Sequence, residues 1–236
     1  MANKTITQLD AAQSLNDNMV IAVQDTNATY KTTLADVKAY CSSGGGDAYA
    51  VGDRVTDDSN NPVGTVSSIF TDGNGQRYAV VCLDAVNRLA SGQYLSTVVN
   101  VSDIPQYQNQ TIWAAPETAT TNTTAILSTA SSVGYTSTAC THCRSKTFTI
   151  GGVTYAGQLP NLNELTQIFA KRTLINAQDP SASTYSSLVI PTSSATWSST
   201  QCDVSIAWYV NPFGSATFDG KDLDYFVIPV LEIPLD

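Results

Sequence analysis

The stretch GQLPNLNEL, residues 157–165, decides most about the fold, because it marks where a helix begins. Asn161 is a favoured N-cap residue, and Glu164 lies three positions later, where its side chain can bond back to the N-cap backbone. Apolar residues then recur at helical spacing, at Leu162, Leu165, Ile168 and Phe169. The pattern predicts an amphipathic helix that starts after Asn161 and packs one face on a core.

Strand-like sequence lies on both sides of this helix. Before it come 48–55, 63–70 and 76–83, the last two joined by the glycine-rich turn 72–75; after it come 195–198, 204–210, 216–218 and 225–233. Two more stretches, 123–132 and 138–145, have helical periodicity. The predicted fold class is α+β.

The chain divides into two pieces around the run Ser42–Gly46. A Gly/Ser run of this kind behaves as a flexible coil. Residues 1–41 are expected to form a small β-hairpin and helix module, and residues 47–236 the main domain. A unit of about 40 residues has a small core, so the first module is expected to need a partner surface.

The composition excludes several classes of function. Only 13% of the 236 residues are charged, and the net charge is −9, with no basic cluster beyond Lys171-Arg172. Binding to nucleic acid or to anionic lipid needs clustered Lys and Arg, so neither partner is expected. No apolar run approaches the length of a membrane span, and the first residues carry no apolar signal core. We therefore expect the protein to be made and folded in a cytoplasm.

The five cysteines are scattered and odd in number, which is not typical of a disulfide framework. Cys140 and Cys143 form a Cys-x-x-Cys pair, which can be a redox pair or half of a zinc site. His142, inside this pair, is the only histidine, so further metal ligands and a nucleophile–base arrangement are hard to assemble. Structural thiols are the expectation, with no cofactor, no metal and no catalytic residue.

Carboxylates offer two alternatives. A pair of them could cleave glycans, but the chain has only three glutamates, and Glu164 is explained by capping. The cluster Asp219, Asp222 and Asp224 could bind Ca²⁺ through oxygen ligands, or could simply be a solvated loop.

Aromatic residues in loop-like sequence give the candidate ligand site. Phe213 and Phe218 lie beside Asn211-Pro212 and Asp219-Gly220, in turn-rich sequence. Exposed loop aromatics commonly stack on sugars or anchor a protein contact. The predicted ligand-binding residues are Asn211, Phe213, Phe218, Asp219, Asp222 and Asp224, and the alternative is that the aromatics pack against a neighbouring subunit.

The first 41 residues resemble the N-terminal attachment module of many tailed-phage fibre proteins. The resemblance rests on an I-x-x-L opening, a D-x-x-x-I-x-V strand, a Lys/Thr-rich strand and a short L-x-x-V-K-x-Y helix. It implies that this module fixes the chain to a virion, often as part of a trimer. The implied anchoring residues are Ile6, Leu9, Ile21, Val23, Leu34, Val37 and Tyr40.

The remainder resembles a C-type-lectin-like module found in proteins of gut Bacteroidales and their phages. The matching features are Y-x-V-G-D at 49–53, the G-x-L-P-x-x-x-E-L box, W-S-S-T at 197–200, A-W at 207–208 and the closing Y-F-V-x-P-V at 225–230. The family often has Arg where this chain has Ile228, which leaves an ion pair or ligand contact from that position open. The resemblance implies a twisted antiparallel sheet with two or three helices.

Together the resemblances imply a virion fibre subunit, of the type of the head fibres of crAss-like gut phages, attached at the head or the tail. It would be a homo-oligomer, with a trimer favoured over a dimer, bound to capsid or other virion proteins and adhering weakly to host or mucus glycans. Two alternatives remain: a surface or secreted adhesin of a gut bacterium, and a glycan-degrading tail enzyme.

Overall fold

The structure is a computed structural model that describes residues 49–108 and 117–235, together with the strands at 20–24 and 29–33. The chain separates into two compact units, the first ending at Ala48 and the second spanning Tyr49–Leu235. Each unit is considered by itself below.

The first unit contains a β-hairpin of β1 (Val20–Gln24) and β2 (Thr29–Thr33), paired antiparallel from Val20 opposite Thr33 to Gln24 opposite Thr29. This hairpin confirms the two strands predicted there. Ile21 and Val23 lie on β1. The other predicted anchoring residues (Ile6, Leu9, Leu34, Val37 and Tyr40) and the 42–46 linker lie outside the described residues.

The second unit, the body, alternates short strands with two pairs of helices. Its first strands are β3 (Arg54–Thr56), β4 (Pro62–Thr71), β5 (Arg77–Leu83) and β6 (Leu89–Gln93). Its middle consists of α1 (Ala119–Val133), α2 (Thr138–Arg144), β7 (Thr147–Ile150), β8 (Val153–Ala156), α3 (Leu162–Ala170) and α4 (Arg172–Gln178). Its last strands are β9 (Thr196–Gln201), β10 (Ile206–Val210), β11 (Ala216–Gly220), β12 (Asp224–Val227) and β13 (Val230–Leu235). Short 3₁₀ turns occur at 85–87 and 186–188.

The strands of the body form two main sheets. One has the order β11-β10-β9-β12-β6 and the other β13-β5-β4-β3, while β7 and β8 pair only with each other. All pairings are antiparallel except the single bridge between β12 and β9. The mixed architecture confirms the α+β prediction. The described part of the body has two main sheets, the two-stranded β7–β8 sheet and four α-helices, where the resemblance implied one sheet with two or three helices.

Both faces of the five-stranded sheet are covered. On β10, Trp208 and Val210 join a core with α3, whereas Ala207 joins a second core with α1 and α2. This is the period-2 alternation of a strand buried on both sides. The four-stranded sheet shares the α3 core on one face and packs its other face under the β7–β8 hairpin.

Two strand predictions were wrong in detail. The predicted strand 48–55 is reduced to β3, because Gly52 has a left-handed φ of 98° and the Asp53 side chain accepts the N–H of Ala50 in a turn. The predicted closing strand 225–233 is divided into β12 and β13, which belong to different sheets. The division falls at Ile228-Pro229, where Pro229 has no N–H to donate to a ladder. Ile228 is fully buried in the α3 core, so an apolar contact replaces the ion pair left open at this position.

The structure confirms the helix predicted from residues 157–165. The Asn161 side chain accepts the N–H of Glu164, and the Glu164 side chain accepts the N–H of Asn161, which completes the capping box. No helix in the described part of the chain is long and apolar enough to cross a membrane.

Candidate functional site

The six predicted ligand-binding residues all lie on the stretch of chain that runs from the end of β10 through β11 to the start of β12. They fall at three places on it: the turn 211–215, the middle of β11, and the turn that leads into β12. β11 is an edge strand, because it pairs only with β10 in its sheet. The surroundings of each place decide what its side chains can contact.

The turn 211–215 exposes Phe213 to solvent, and hydrogen bonds hold the backbone of the turn in place. The Asn211 side-chain oxygen accepts the N–H groups of Phe213 and Ser215, both at 3.0 Å, and Gly214 takes a left-handed φ of 87°. Arg172 Nη1, at the start of α4, donates to the Pro212 carbonyl at 2.7 Å. The Phe213 side chain is 88% exposed. Asn211 therefore uses its oxygen to hold the turn, and Phe213 is the group left to meet a ligand.

Phe218 lies in the middle of β11 and is about half exposed, at 48%. Its ring packs edge-on against Trp208, with centroids 5.2 Å apart. The Trp208 indole N–H donates in turn to the Tyr107 carbonyl at 2.8 Å. Phe218 therefore covers the edge of the α3 core, and part of its surface already serves packing.

Asp219 lies on the opposite face of β11, as the alternation of a strand requires. Its carboxylate accepts the Tyr225 hydroxyl at 2.8 Å and the N–H of Gly220 at 2.9 Å. Burial and this carboxylate raise the pKa of Tyr225. The Tyr225 ring packs against Tyr209 and Trp197, with centroids 4.7 and 4.6 Å away. Asp219 thus anchors an aromatic cluster on the α1 side of the sheet.

Asp222 and Asp224 are exposed beyond the other end of β11. The five residues of β11 separate them from the turn that carries Phe213, a span of about 16 Å at about 3.3 Å per residue. Asp222 and Asp224 therefore lie at the opposite end of β11 from Phe213. Within residues 49–108 and 117–235, no group of three or more His, Cys, Asp or Glu side chains is placed to hold a metal ion.

The four described cysteines are buried free thiols, and the structural role expected for Cys140 and Cys143 stays a prediction. Both lie on α2, and burial raises the pKa of Cys140 to about 12 and that of Cys143 well above its usual 9.0. A thiol with a raised pKa holds little thiolate at neutral pH, so it is a poor nucleophile. His142 is bound through Nε2 to the Asn87 carbonyl at 2.8 Å, and burial lowers its pKa.

Sequence reasoning missed a pair of neighbouring carboxyl groups, of which one is fully buried and the other partly exposed. Glu164 is fully buried, and the Tyr78 hydroxyl donates to it at 3.3 Å. Its other neighbour is Glu232 of β13, to which it is hydrogen-bonded. The Glu232 carboxylate accepts the N–H groups of Ala119 and Thr120 at 2.7 and 2.9 Å, at the start of α1. The pair therefore joins the N-termini of two helices inside the protein, where a substrate cannot reach Glu164.

Sequence reasoning also missed Lys221, which lies on the same stretch of chain between Asp219 and Asp222 and is fully buried. Lys is almost never fully buried unless its charge is paired. No local sequence signal marks it, because the groups around it come from distant parts of the chain.

Comparisons of the chain with protein-family models, with curated proteins and with solved structures found no match. The resemblances to a fibre attachment module and to a lectin-like module therefore stay predictions.

Proposed function

We propose that this protein is a structural subunit of a phage fibre, whose first 41 residues attach it to the head or tail of the virion. The body would then be displayed outward for weak adhesion to host-surface or mucus glycans. The proposal assigns the chain no catalytic step and needs no cofactor.

The observation that carries the adhesive role is the exposure of Phe213 on a rigid turn. An aromatic ring that is 88% exposed contributes little to the core, yet three hydrogen bonds from Asn211 and Arg172 hold the backbone beneath it. A ring presented on a pre-ordered turn loses little conformational freedom on binding. Such a ring can stack on the apolar face of a sugar or enter a pocket on a partner.

A C-type-lectin-like fold is the finer proposal for the body. Its support is the packing of helices against antiparallel sheets, together with the order in which the helix-capping box, the polar strand β9 and the closing strands follow one another, as the resemblance implied. Within the body, long irregular segments at 94–108 and 179–195 accompany these elements.

The placement of the glutamates supports a role without chemistry. Glu164 is fully buried, Glu232 is bound to the backbone of α1, and the Glu117 carboxylate accepts the Tyr107 hydroxyl at 2.6 Å. Retaining and inverting glycosidases need two carboxyl groups that flank a bound sugar. A fully buried Glu164 that is bonded to Glu232 does not meet that requirement.

Assembly as a trimer would strengthen weak contacts. Identical chains usually close into cyclic symmetry, and three copies can bind together by avidity where the geometry permits. The proposed location is accordingly the virion, with the capsid or another virion protein as the partner of the first module.

Two measurements on the full-length protein test the proposal. Light scattering at micromolar concentration should give a trimer, and a strict monomer would contradict the fibre assembly. Incubation with mucin and with capsular polysaccharide should give binding without new reducing ends. Reducing ends produced by the purified protein would overturn the non-catalytic role.

A further inference from the structure

The side chain of Lys221 ends inside a cage of oxygen atoms. Its Nζ lies 2.7 Å from Gln201 Oε1, 3.0 Å from the Val99 carbonyl, 3.0 Å from the Asp203 carbonyl and 2.9 Å from the Val204 carbonyl. We call these four oxygens the Lys221 cage. The side chain has no exposed surface. A buried ammonium of this kind is stable only where such contacts replace its water.

The cage oxygens are neutral and already held in place. Gln201 Oε1 also accepts the N–H of Val101, and Gln201 Nε2 donates to the carbonyls of Val101 and Ile104. The nearest carboxylate, that of Asp203, is turned to the N–H groups of Ser205 and Ile206. The positive charge is therefore met by oriented dipoles, as well as by the face of the Tyr94 ring at 5.6 Å.

The cage joins three segments that are distant in the sequence. Val99 comes from the irregular segment after β6, Gln201 and Asp203 from the end of β9, and Lys221 from the turn after β11. The same place is reinforced by the hydrogen bond from the N–H of Leu95 to the Lys221 carbonyl, at 3.0 Å. The Lys221 ammonium thus links three chain segments at the end of the five-stranded sheet, next to Asp222 and Asp224.

Rings of backbone carbonyls are the environment in which proteins replace the hydration shell of potassium. Distances of 2.7 to 3.0 Å to neutral oxygens suit a large monovalent cation. Small divalent cations require shorter distances and favour carboxylates.

We propose that the Lys221 ammonium is a built-in structural cation that fills a site for a monovalent cation and frees this end of the body from any need for a metal ion. A lysine held only by the packing of its stem would leave no cation-specific site when removed. If the Lys221 ammonium fills a cation site, its removal would leave four buried oxygens placed to bind a free monovalent cation.

The test is cation rescue of the full-length Lys221→Ala variant, followed by thermal unfolding at constant ionic strength. The variant should unfold at a lower temperature than the wild type. Potassium or n-propylammonium should raise its midpoint in a saturable way relative to N-methylglucamine, while the wild-type midpoint stays unchanged. Neutral n-propanol should not substitute for n-propylammonium.

The Lys221→Met variant is the control for this rescue experiment. Lys221→Met keeps the apolar stem and blocks the cavity, so cations should not rescue it. Equal responses of wild type and Lys221→Ala to all the salts, or equal rescue by n-propanol, would overturn the proposal.

A measurement on the wild type serves if Lys221→Ala does not fold. Limited acetylation read by mass spectrometry should modify exposed Lys171 well before Lys221, and exchange of potassium for N-methylglucamine should change neither that order nor the unfolding midpoint. Acetylation of Lys221 as fast as Lys171, or a loss of stability when potassium is removed, would contradict a caged ammonium that replaces a metal ion.

Discussion

Replacement of Glu164 by Ala and by Gln separates the two roles that this buried residue combines. Its side chain caps α3 by accepting the N–H of Asn161, and it bonds the Tyr78 hydroxyl and the Glu232 carboxylate. Ala removes all three interactions. Gln keeps an oxygen for Asn161 and an N–H₂ group for Glu232, and it carries no charge.

The expected cost of Glu164→Ala follows from the partners it leaves. A buried polar group without its partner costs about 1–3 kcal/mol, and the N–H of Asn161 is buried together with Glu164. The 3.3 Å contact from Tyr78 is long, and Glu232 is partly exposed and can be hydrated. We therefore expect a loss of about 3 kcal/mol for Glu164→Ala and under about 1 kcal/mol for Glu164→Gln.

The pair also predicts how stability depends on pH. Burial, and then the neighbouring Glu232, raise the pKa of Glu164 well above its usual 4.5, so the folded protein holds a proton that the unfolded chain releases. This contribution is fully present below the unfolded pKa and is lost as pH rises through the folded pKa. Glu164→Gln cannot lose that proton, so its stability should fall less than that of the wild type as pH rises.

Urea unfolding of the full-length proteins, followed by circular dichroism at pH 5, 7 and 9, measures both effects. The order expected at pH 7 is Glu164→Gln within about 1 kcal/mol of the wild type, and Glu164→Ala well below both. Equal losses of stability for Glu164→Ala and Glu164→Gln, or the same pH dependence in Glu164→Gln as in the wild type, would refute the conclusion that Glu164 is protonated in the folded protein.

Two further predictions concern packing and the two-unit organisation. A Cβ at Gly64 would collide with the Cys82 carbonyl of the paired strand β5, so Gly64→Ala should lower the free energy of unfolding in urea by about 2–3 kcal/mol. Gly75→Ala is strained only by its φ of 84° and should lower it by about 1 kcal/mol. A larger loss for Gly75→Ala than for Gly64→Ala would contradict the close strand contact. Removal of residues 1–48 should leave a folded, soluble body with one cooperative unfolding transition, and an aggregated or unfolded product would show that the body depends on the first unit.

Local features of the sequence predicted the fold best. The capping box and the 72–75 turn depend on residues within a few positions, and Asp72 accepts the N–H groups of Asn74 and Gln76 as a turn of this kind requires. The break between β12 and β13 was missed although Pro229 marks it, because apolar residues continue on both sides of the proline and only the sheet order separates the two halves.

The candidate site was predicted less well, because its geometry is non-local. Period-2 alternation along β11 could have placed Phe218 and Asp219 on opposite faces. No pattern could have brought Val99, Gln201 and Lys221 together, since Lys221 is 122 residues from Val99 and 20 residues from Gln201 in the sequence. The Glu164–Glu232 pair is equally non-local.

The binding of the full-length protein to immobilised mucin, compared with that of Phe213→Ala, tests the adhesive role most directly. Phe218→Ala is the matched control, because Phe218 already packs on Trp208. The account predicts saturable binding by the wild type, a loss of at least about tenfold in affinity for Phe213→Ala, equal to about 1.4 kcal/mol, and a smaller loss for Phe218→Ala. Equal affinity of the wild type and Phe213→Ala would contradict the assignment of recognition to the 211–215 turn, and no binding by the wild type would contradict adhesion to mucus glycans.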